Sequence, residues 1–126
     1  MNSTPIVDGA VLYGVDQPGQ LRAVNVATGA RLWETTSPTT GAKPANSGTA
    51  FLVKNGDRYF IFNESGELVV AKLSPEKYEE MSRAKILEPT NSCFGRPVVW
   101  SHPAFANKCM FARNDKEIVC VSLSEQ

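Results

Sequence analysis

The strongest constraint on the fold of this chain is an internal repeat of paired apolar stretches. Each copy consists of an apolar or alternating stretch, a short polar turn and a second such stretch. The copies begin at Leu12, Tyr59 and Cys109, which are 47 and 50 positions apart, and in each copy the second stretch starts nine positions after the first. A period of this length suits a four-stranded propeller blade and is too long for a leucine-rich or ankyrin repeat. The sequence therefore predicts an all-β chain of about three four-stranded propeller blades.

Turn residues precede each of these paired stretches. Asp8-Gly9 and Asn55-Gly56 are predicted to be two-residue hairpin turns of type I′, which needs positive φ at both central positions. Asn107-Lys108 occupies the matching place in the third copy, and its hairpin is expected to be looser because that copy has no turn glycine. Each unit is thus expected to begin with an additional inner strand. The predicted inner strands are Pro5–Val7, Ala50–Lys54 and His102–Ala106.

An outer, fourth strand is predicted for the first two units. Ala27-Thr28-Gly29 is typical of a tight turn, and Ala30–Glu34 then alternates as an edge strand. In the second unit, Pro75–Glu80 is compatible with one helical turn capped by Ser74, and Met81–Leu87 would follow as the outer strand. The third unit lacks an outer strand. The predicted boundaries are about 4–36 for blade 1, 37–47 for a linker, about 48–88 for blade 2 and about 97–124 for blade 3.

The number of blades bears on how the chain completes its fold. Propellers close with about four to eight blades, so three are too few for a ring. The chain is therefore expected to be the C-terminal portion of a larger propeller, its last blade lacking the outer strand, or a protomer that closes a ring as a homo-oligomer. Bare terminal blades would expose apolar faces and sheet edges.

Charge and composition exclude several classes of function. Thirteen Lys+Arg balance 13 Asp+Glu, which removes the electrostatic basis for binding nucleic acid or an anionic membrane surface. No apolar run approaches the roughly 18 residues of a membrane-spanning helix, and no signal peptide opens the chain. One histidine and three scattered cysteines do not make a four-ligand zinc site. Cys109 and Cys120 are expected to be small buried strand residues, and a Cys93–Cys109 disulfide stays open for an oxidising compartment.

The first unit carries a more specific motif. Its residues are Gly19, Leu21, Ala23, Thr28, Gly29, Leu32 and Trp33. At this spacing they resemble the pyrroloquinoline-quinone-type (PQQ-like) propeller repeat, which reads approximately G-x-L-x-A-x-D-x-x-T-G-x-x-L-W. Asn25 stands where that family usually has aspartate, and the other two units match only in strand register. The resemblance implies that Thr28, Gly29 and Trp33 dock neighbouring blades, with an aliphatic counterpart in the second blade at Ile86 or Leu87.

The family so resembled has two functional classes. Its quinoprotein dehydrogenases hold quinone and calcium with an adjacent cysteine pair, a catalytic aspartate and calcium ligands, whereas other members are binding scaffolds. This chain has no adjacent cysteines, and its aspartates lie in or beside predicted turns. The expected function is therefore a non-catalytic scaffold that binds a protein or small ligand and needs no cofactor or metal. The alternative is a fragment of a PQQ-dependent oxidoreductase whose catalytic residues lie outside this chain. The resemblance further implies a bacterial protein that is periplasmic or otherwise exported.

The candidate binding residues are Arg96, Trp100 and His102. Arg96 lies in a polar loop over Asn91–Pro97 at a blade junction, where binding residues tend to concentrate, and Trp100 and His102 follow this loop. The alternative interpretation is a plain connecting loop with Trp100 packed between sheets. Ser101 beside His102 does not predict a nucleophile and base, because adjacent strand residues face opposite sides of a sheet.

Overall fold

The computed structural model describes residues 3–124, and no helix is present in this range. None of these residues therefore forms a helix that is long and apolar enough to cross a membrane. The described residues form thirteen strands arranged in three meander sheets and one separate two-stranded hairpin. All strand pairs are antiparallel, and within each sheet every strand pairs with the strands that precede and follow it in the sequence. This arrangement confirms the prediction of an all-β partial propeller.

The strands have the following bounds. The first sheet contains β1 (Ile6–Asp8), β2 (Val11–Val15), β3 (Leu21–Asn25) and β4 (Arg31–Thr35). The second sheet contains β5 (Ala50–Asn55), β6 (Arg58–Asn63), β7 (Glu67–Leu73) and β8 (Tyr78–Lys85). The separate hairpin consists of β9 (Asn91–Cys93) and β10 (Arg96–Val98). The third sheet contains β11 (Ala104–Ala106), β12 (Cys109–Arg113) and β13 (Ile118–Ser122).

The hairpin turns between the first two strands of each sheet differ from the prediction. In the first two sheets the turn residues are Gly9-Ala10 and Gly56-Asp57, one position later than predicted, and only the glycine has positive φ, at 61° and 63°. This is the pattern of type II′ rather than type I′. Asn107-Lys108 is the type I′ turn, with φ of 51° and 58°. It directly joins the paired residues Ala106 and Cys109, so the expectation of a looser third hairpin was wrong.

The third copy of the repeat is shifted by one residue from the predicted register. Val11, Arg58 and Cys109 are each the first residue after the hairpin turn, so Cys109 corresponds to Arg58 and not to Tyr59. The turn between β12 and β13 is one residue shorter than its equivalents in the other two sheets. The shorter turn offsets the shift, which is why the nine-position spacing looked constant in the sequence.

The outer strand of the second sheet replaces the predicted helical turn. Ser74 Oγ accepts hydrogen bonds from the N–H groups of Glu76 and Lys77, but the chain then enters β8 instead of a helix. β8 starts at Tyr78, which pairs with Leu73, so the strand begins earlier than the predicted Met81. Pairing along the full length of β7 outweighs the weak helical preference of a short segment.

The apolar core lies between the sheets, and the second sheet is covered on both faces. Neighbouring residues of a strand point to opposite faces. Tyr59 faces the first sheet, with its ring centroid 5.5 Å from that of Tyr13. Phe62 belongs to the opposite buried cluster, together with Met110 of the third sheet. Each buried side chain of this size contributes roughly 1.5–3 kcal/mol, so these two clusters hold the three sheets together.

The three cysteines are unpaired in the described part of the chain. Cys93 lies in β9, whereas Cys109 and Cys120 lie in the third sheet, and the structure contains no Cys93–Cys109 disulfide. Cys109 is half-buried and Cys120 is exposed, which corrects the expectation that both are buried. Both residues lie on the outward face of the third sheet, and none of the sheets described in residues 3–124 packs against that face.

Candidate functional site

The candidate residues lie on one end of the sheets, which we call the connection face. Because the strands alternate in direction, this end carries the connections between sheets, residues 36–49 and 86–103. It also carries the turns between the second and third strand of each sheet, at residues 16–20, 64–66 and 114–117. The opposite end carries the hairpin turns at residues 9–10, 56–57 and 107–108.

Arg96 and Trp100 converge on Glu64, a residue that no sequence motif indicates. Arg96 donates from Nε to Glu64 Oε1 at 2.7 Å and from Nη2 to Oε2 at 3.0 Å. Trp100 Nε1 donates to the same Oε2 at 3.1 Å, and the Val99 N–H donates to the Glu64 carbonyl oxygen at 2.6 Å. We call the three side chains of Glu64, Arg96 and Trp100 the Glu64 clasp. It fastens the connection after the second sheet to a turn of that sheet.

The electrostatics of the Glu64 clasp are those of a closed ion pair. Glu64 is only 4% exposed, and the hydrogen bond that Arg96 donates to its carboxylate raises the pKa of Arg96. A buried carboxylate needs such compensation, because burial of an unpaired charge is strongly unfavourable. Both carboxylate oxygens are occupied by N–H donors. The arrangement is therefore suited to positioning the chain and offers no open base.

His102 is not part of the Glu64 clasp. It precedes β11 and does not belong to that strand, whose first residue is Ala104 and not the predicted His102. Its Nδ1 lies 2.7 Å from the carbonyl oxygen of Pro103, and because a carbonyl only accepts, Nδ1 donates this hydrogen bond. Its ring packs on Phe51 with a centroid distance of 4.7 Å. The structure thus brings Arg96 and Trp100 together and places His102 elsewhere.

The predicted polar loop is a β-hairpin. β9 and β10 pair, and the turn consists of Phe94 and Gly95 with φ of 52° and 76°. The strands are only three residues long and the turn lacks the usual Asn-Gly or Asp-Gly, so no hairpin signal is present in the sequence. Phe94 is 59% exposed at the tip, with its ring centroid 6.4 Å from that of Trp100.

A cleft of about 280 Å³ lies between this hairpin and the turn of the third sheet. Its lining combines polar side chains with a comparable apolar surface and comes from Thr90–Cys93, Val98–Ser101 and Asn114–Asp115. Two hydrogen bonds join its walls: Asn114 Nδ2 donates to the Glu88 carbonyl oxygen at 3.0 Å, and the Asp115 N–H donates to Thr90 Oγ1 at 3.0 Å. The cleft is therefore a fixed feature of the connection face.

Of the residues in the predicted docking motif, Trp33 packs between the first two sheets, whereas Thr28 and Gly29 are exposed in the turn between β3 and β4. Asn25 Oδ1 accepts hydrogen bonds from the N–H groups of Ala27 and Thr28, and Gly29 has φ of 73°. The side chain of Asn25 therefore stabilises the turn in the same way as the aspartate that usually occupies this position. Trp33 Nε1 donates to the Ser74 carbonyl oxygen of the second sheet at 2.8 Å. The docking role stays a prediction, and this inter-sheet hydrogen bond supports it.

The counterpart expected in the second blade lies between the second and third sheets. Leu87 is 2% exposed in the buried cluster that contains Phe62 and Met110, and Ile86 packs against that cluster. Both residues therefore belong to the apolar packing between the second and third sheets, as Trp33 belongs to that between the first and second.

The residues of this face do not fit a quinone-bound calcium ion. Calcium takes about six to eight oxygen ligands, usually with several carboxylates. Among residues 3–124, no group of three or more His, Cys, Asp and Glu side chains is placed to hold a metal ion. Glu64, the buried carboxylate of this face, already accepts from Arg96 and Trp100.

Comparison with known proteins places the chain in a family. Curated protein sequences contain no match to it. The family model described as "Outer membrane protein assembly factor BamB" matches residues 1–126, the full length of the chain. The three meander sheets agree with the blade organisation of that family's repeats. The chain therefore belongs to the family of the outer membrane protein assembly factor BamB, whose repeats are of the PQQ-like type.

Proposed function

We propose that this chain is part of a non-catalytic scaffold that binds another protein through its connection face. The Glu64 clasp is the observation that carries the proposal. Its polar side chains saturate one another and fix the β9–β10 hairpin beside a cleft lined by both polar and apolar groups. The family description, an assembly factor, favours a protein as the ligand.

The chemistry of the face favours binding over catalysis. General acid–base catalysis needs a side chain that can reach a substrate and exchange a proton with it. On this face Glu64 is buried and fully engaged, and His102 Nδ1 is engaged with Pro103. No contact here favours the alternative of a PQQ-dependent oxidoreductase.

The family also bears on where the protein works. Members of this family are usually exported to the periplasm. We propose the same compartment for the protein to which this chain belongs. A neutral net charge is compatible with a protein ligand and offers no general attraction to nucleic acid.

Selection from a random peptide library displayed on phage tests the proposed function. Peptides selected on the immobilised chain are labelled with fluorescein, and their Kd is measured by anisotropy. Ser92→Arg fills the cleft with a bulky charge and is expected to weaken binding at least about tenfold. Asp57→Arg, in an exposed turn at the opposite end, is the matched control and is expected to leave Kd unchanged.

Two results would overturn the proposed function. One is the absence of any peptide enriched on the chain over an unrelated β-protein. The other is a set of peptides whose affinity is insensitive to Ser92→Arg and falls with Asp57→Arg, because binding would then occur at the opposite end.

A further inference from the structure

Phe94 adopts a backbone conformation for which phenylalanine is a poor choice. The turn joining β9 and β10 has positive φ at both central residues, as in type I′ turns, and Asn-Gly is the preferred pair there. Positive φ is unfavourable for a bulky side chain. The other type I′ turn of this chain has Asn107 at the equivalent position, with φ of 51°. The fold alone would therefore favour asparagine at position 94.

Burial does not compensate for this conformation. Phe94 is 59% exposed, and the contact with the Trp100 ring, at a centroid distance of 6.4 Å, covers only part of its surface. A strained residue persists where the surroundings hold it and a function retains it. An exposed aromatic ring on a strained turn is therefore better explained by a contact outside the chain than by the stability of the chain.

The hairpin presents Phe94 from a rigid base. Arg96, the first residue after the turn, is held by both Glu64 oxygens, and Trp100 is held by one of them. An anchor side chain on a preorganised support loses less entropy on binding than one on a mobile loop. Aromatic residues are also enriched among the residues that dominate binding energy.

The adjoining cleft indicates the chemistry of the partner. Its walls near the hairpin carry the amide of Asn91 and the hydroxyl groups of Ser92 and Ser101. Such groups hydrogen-bond the main-chain amides of a polypeptide. Asp115 on the opposite wall is the one ionisable carboxylate among the lining residues, so the cleft does not suit an anionic ligand. Cys93 and Trp100 also line the cleft, so it reaches the base of the hairpin whose tip carries Phe94.

From these observations we propose that Phe94 anchors an extended segment of a partner protein. An apolar side chain of that segment packs on Phe94 and Trp100, and its main chain lies in the cleft against Asn91 and Ser92. The proposal rests on the scaffold function proposed above and adds to it the anchor residue and the form of the ligand.

Phe94→Asn separates binding from stability. Asparagine suits the turn, so the variant is expected to unfold about 2–4 °C higher than the wild type, the shift that relief of one unfavourable backbone conformation gives. The same variant is expected to bind the selected fluorescein-labelled peptides at least about tenfold more weakly. Asn107→Phe is the matched control: it places phenylalanine in the other type I′ turn, should lower the melting temperature, and should leave peptide binding unchanged.

The possible results are distinguishable. A lower melting temperature for Phe94→Asn would overturn the inference, because Phe94 would then stabilise the chain. Unchanged peptide binding by Phe94→Asn, with binding still lost in Ser92→Arg, would overturn the inference and leave the proposed function standing. Failure to select any peptide would overturn both. If the wild-type chain is a dimer and Phe94→Asn converts it to a monomer, the ligand of Phe94 is a second copy of this chain. That result would overturn the proposal that Phe94 binds a segment of a different protein.

Discussion

At the scale of single residues, buried polar side chains hold the connections between sheets in place. Asn63 Nδ2 donates to the Pro38 carbonyl oxygen at 3.1 Å, and Asn114 Nδ2 donates to the Glu88 carbonyl oxygen at 3.0 Å. Both asparagines lie at the start of the turn between the second and third strands of their sheets. In each case the side-chain oxygen also accepts main-chain N–H groups of its own turn. An asparagine side chain thus joins each of the two connections to the sheet that follows it.

Glu64→Gln tests how much the Glu64 clasp contributes to the free energy of unfolding. The substitution keeps the size of the side chain and removes the charge that compensates the Arg96 guanidinium. We expect a loss of about 2–3 kcal/mol in the free energy of unfolding, less than for a fully buried pair because the Arg96 side chain is 22% exposed. Urea denaturation followed by tryptophan fluorescence measures the loss.

Glu34→Gln is the control for this measurement. Glu34 pairs with Arg22 and Arg31 at the surface, where its side chain is 33% exposed, so we expect a loss below about 1 kcal/mol. Equal losses in the two variants would contradict the distinction between a buried clasp and a surface pair.

The sequence identified two of the three residues of the Glu64 clasp. Arg96 and Trp100 stood out because Arg96 lies in a polar loop between predicted blades and Trp100 follows that loop. Glu64 could not be found in the same way, since it lies 32 and 36 positions before its partners and its neighbours in sequence form an ordinary polar turn. Only the stacking of one sheet's turn under the next connection brings these residues together.

At the scale of elements, the turn at Gly66 fixes where β8 ends. The Ile86 and Leu87 N–H groups both donate to the Gly66 carbonyl oxygen, at 2.8 and 3.1 Å. Gly66 has φ of 81°, and a Cβ at this position would overlap the Leu87 carbonyl oxygen. The turn and the start of the next connection therefore pack main chain against main chain.

Comparing Gly66→Ala with Gly56→Ala tests this close approach. Gly56 has φ of 63° and open space where a Cβ would lie, so alanine there meets only backbone strain and should cost about 1 kcal/mol. At Gly66 the same strain is joined by the overlap with Leu87, and we expect about 3 kcal/mol or more. Urea denaturation of both variants measures the difference. Similar losses would show that Leu87 can move away at little cost.

The elements were predictable where pattern and turn chemistry agreed. The alternating stretches predicted the second and third strands of every sheet, although a shorter turn hid the one-residue shift at Cys109. The β9–β10 hairpin was not predicted because Phe94 occupies the first central position of a type I′ turn, where asparagine is usual and would have indicated a hairpin. The segment after Ser74 was misassigned because its local preferences are weak and pairing with β7 decides its conformation.

At the scale of the whole molecule, the outward faces of the first and third sheets differ from the covered second sheet. Ile118 is 77% exposed and Phe111 is 39% exposed on the outward face of the third sheet. Val7 and Leu32 are 59% and 40% exposed on the first. Apolar sheet faces of this kind associate with other surfaces, and β13 also leaves an edge unpaired among the described strands.

We therefore predict that the chain associates with itself through its end sheets as concentration rises. Ile118→Lys places a charge on the outward face of β13 and is expected to lower the mass measured by light scattering on a size-exclusion column. Val26→Lys changes an apolar residue that is 53% exposed in a turn, and it should leave the mass unchanged. A wild-type chain that stays monomeric at high concentration, or an equal effect of both variants, would contradict the prediction.

The confinement of strand pairing to each sheet has an evolutionary consequence. No strand of the described sheets exchanges its ladder of hydrogen bonds with another sheet, and neighbouring sheets meet mainly through side chains. A recombination event in a connection can therefore duplicate or delete a whole sheet without splitting a strand pair. What the new neighbour must supply is a complementary apolar face. Gene duplication can thus change the number of blades while each blade keeps its own internal register.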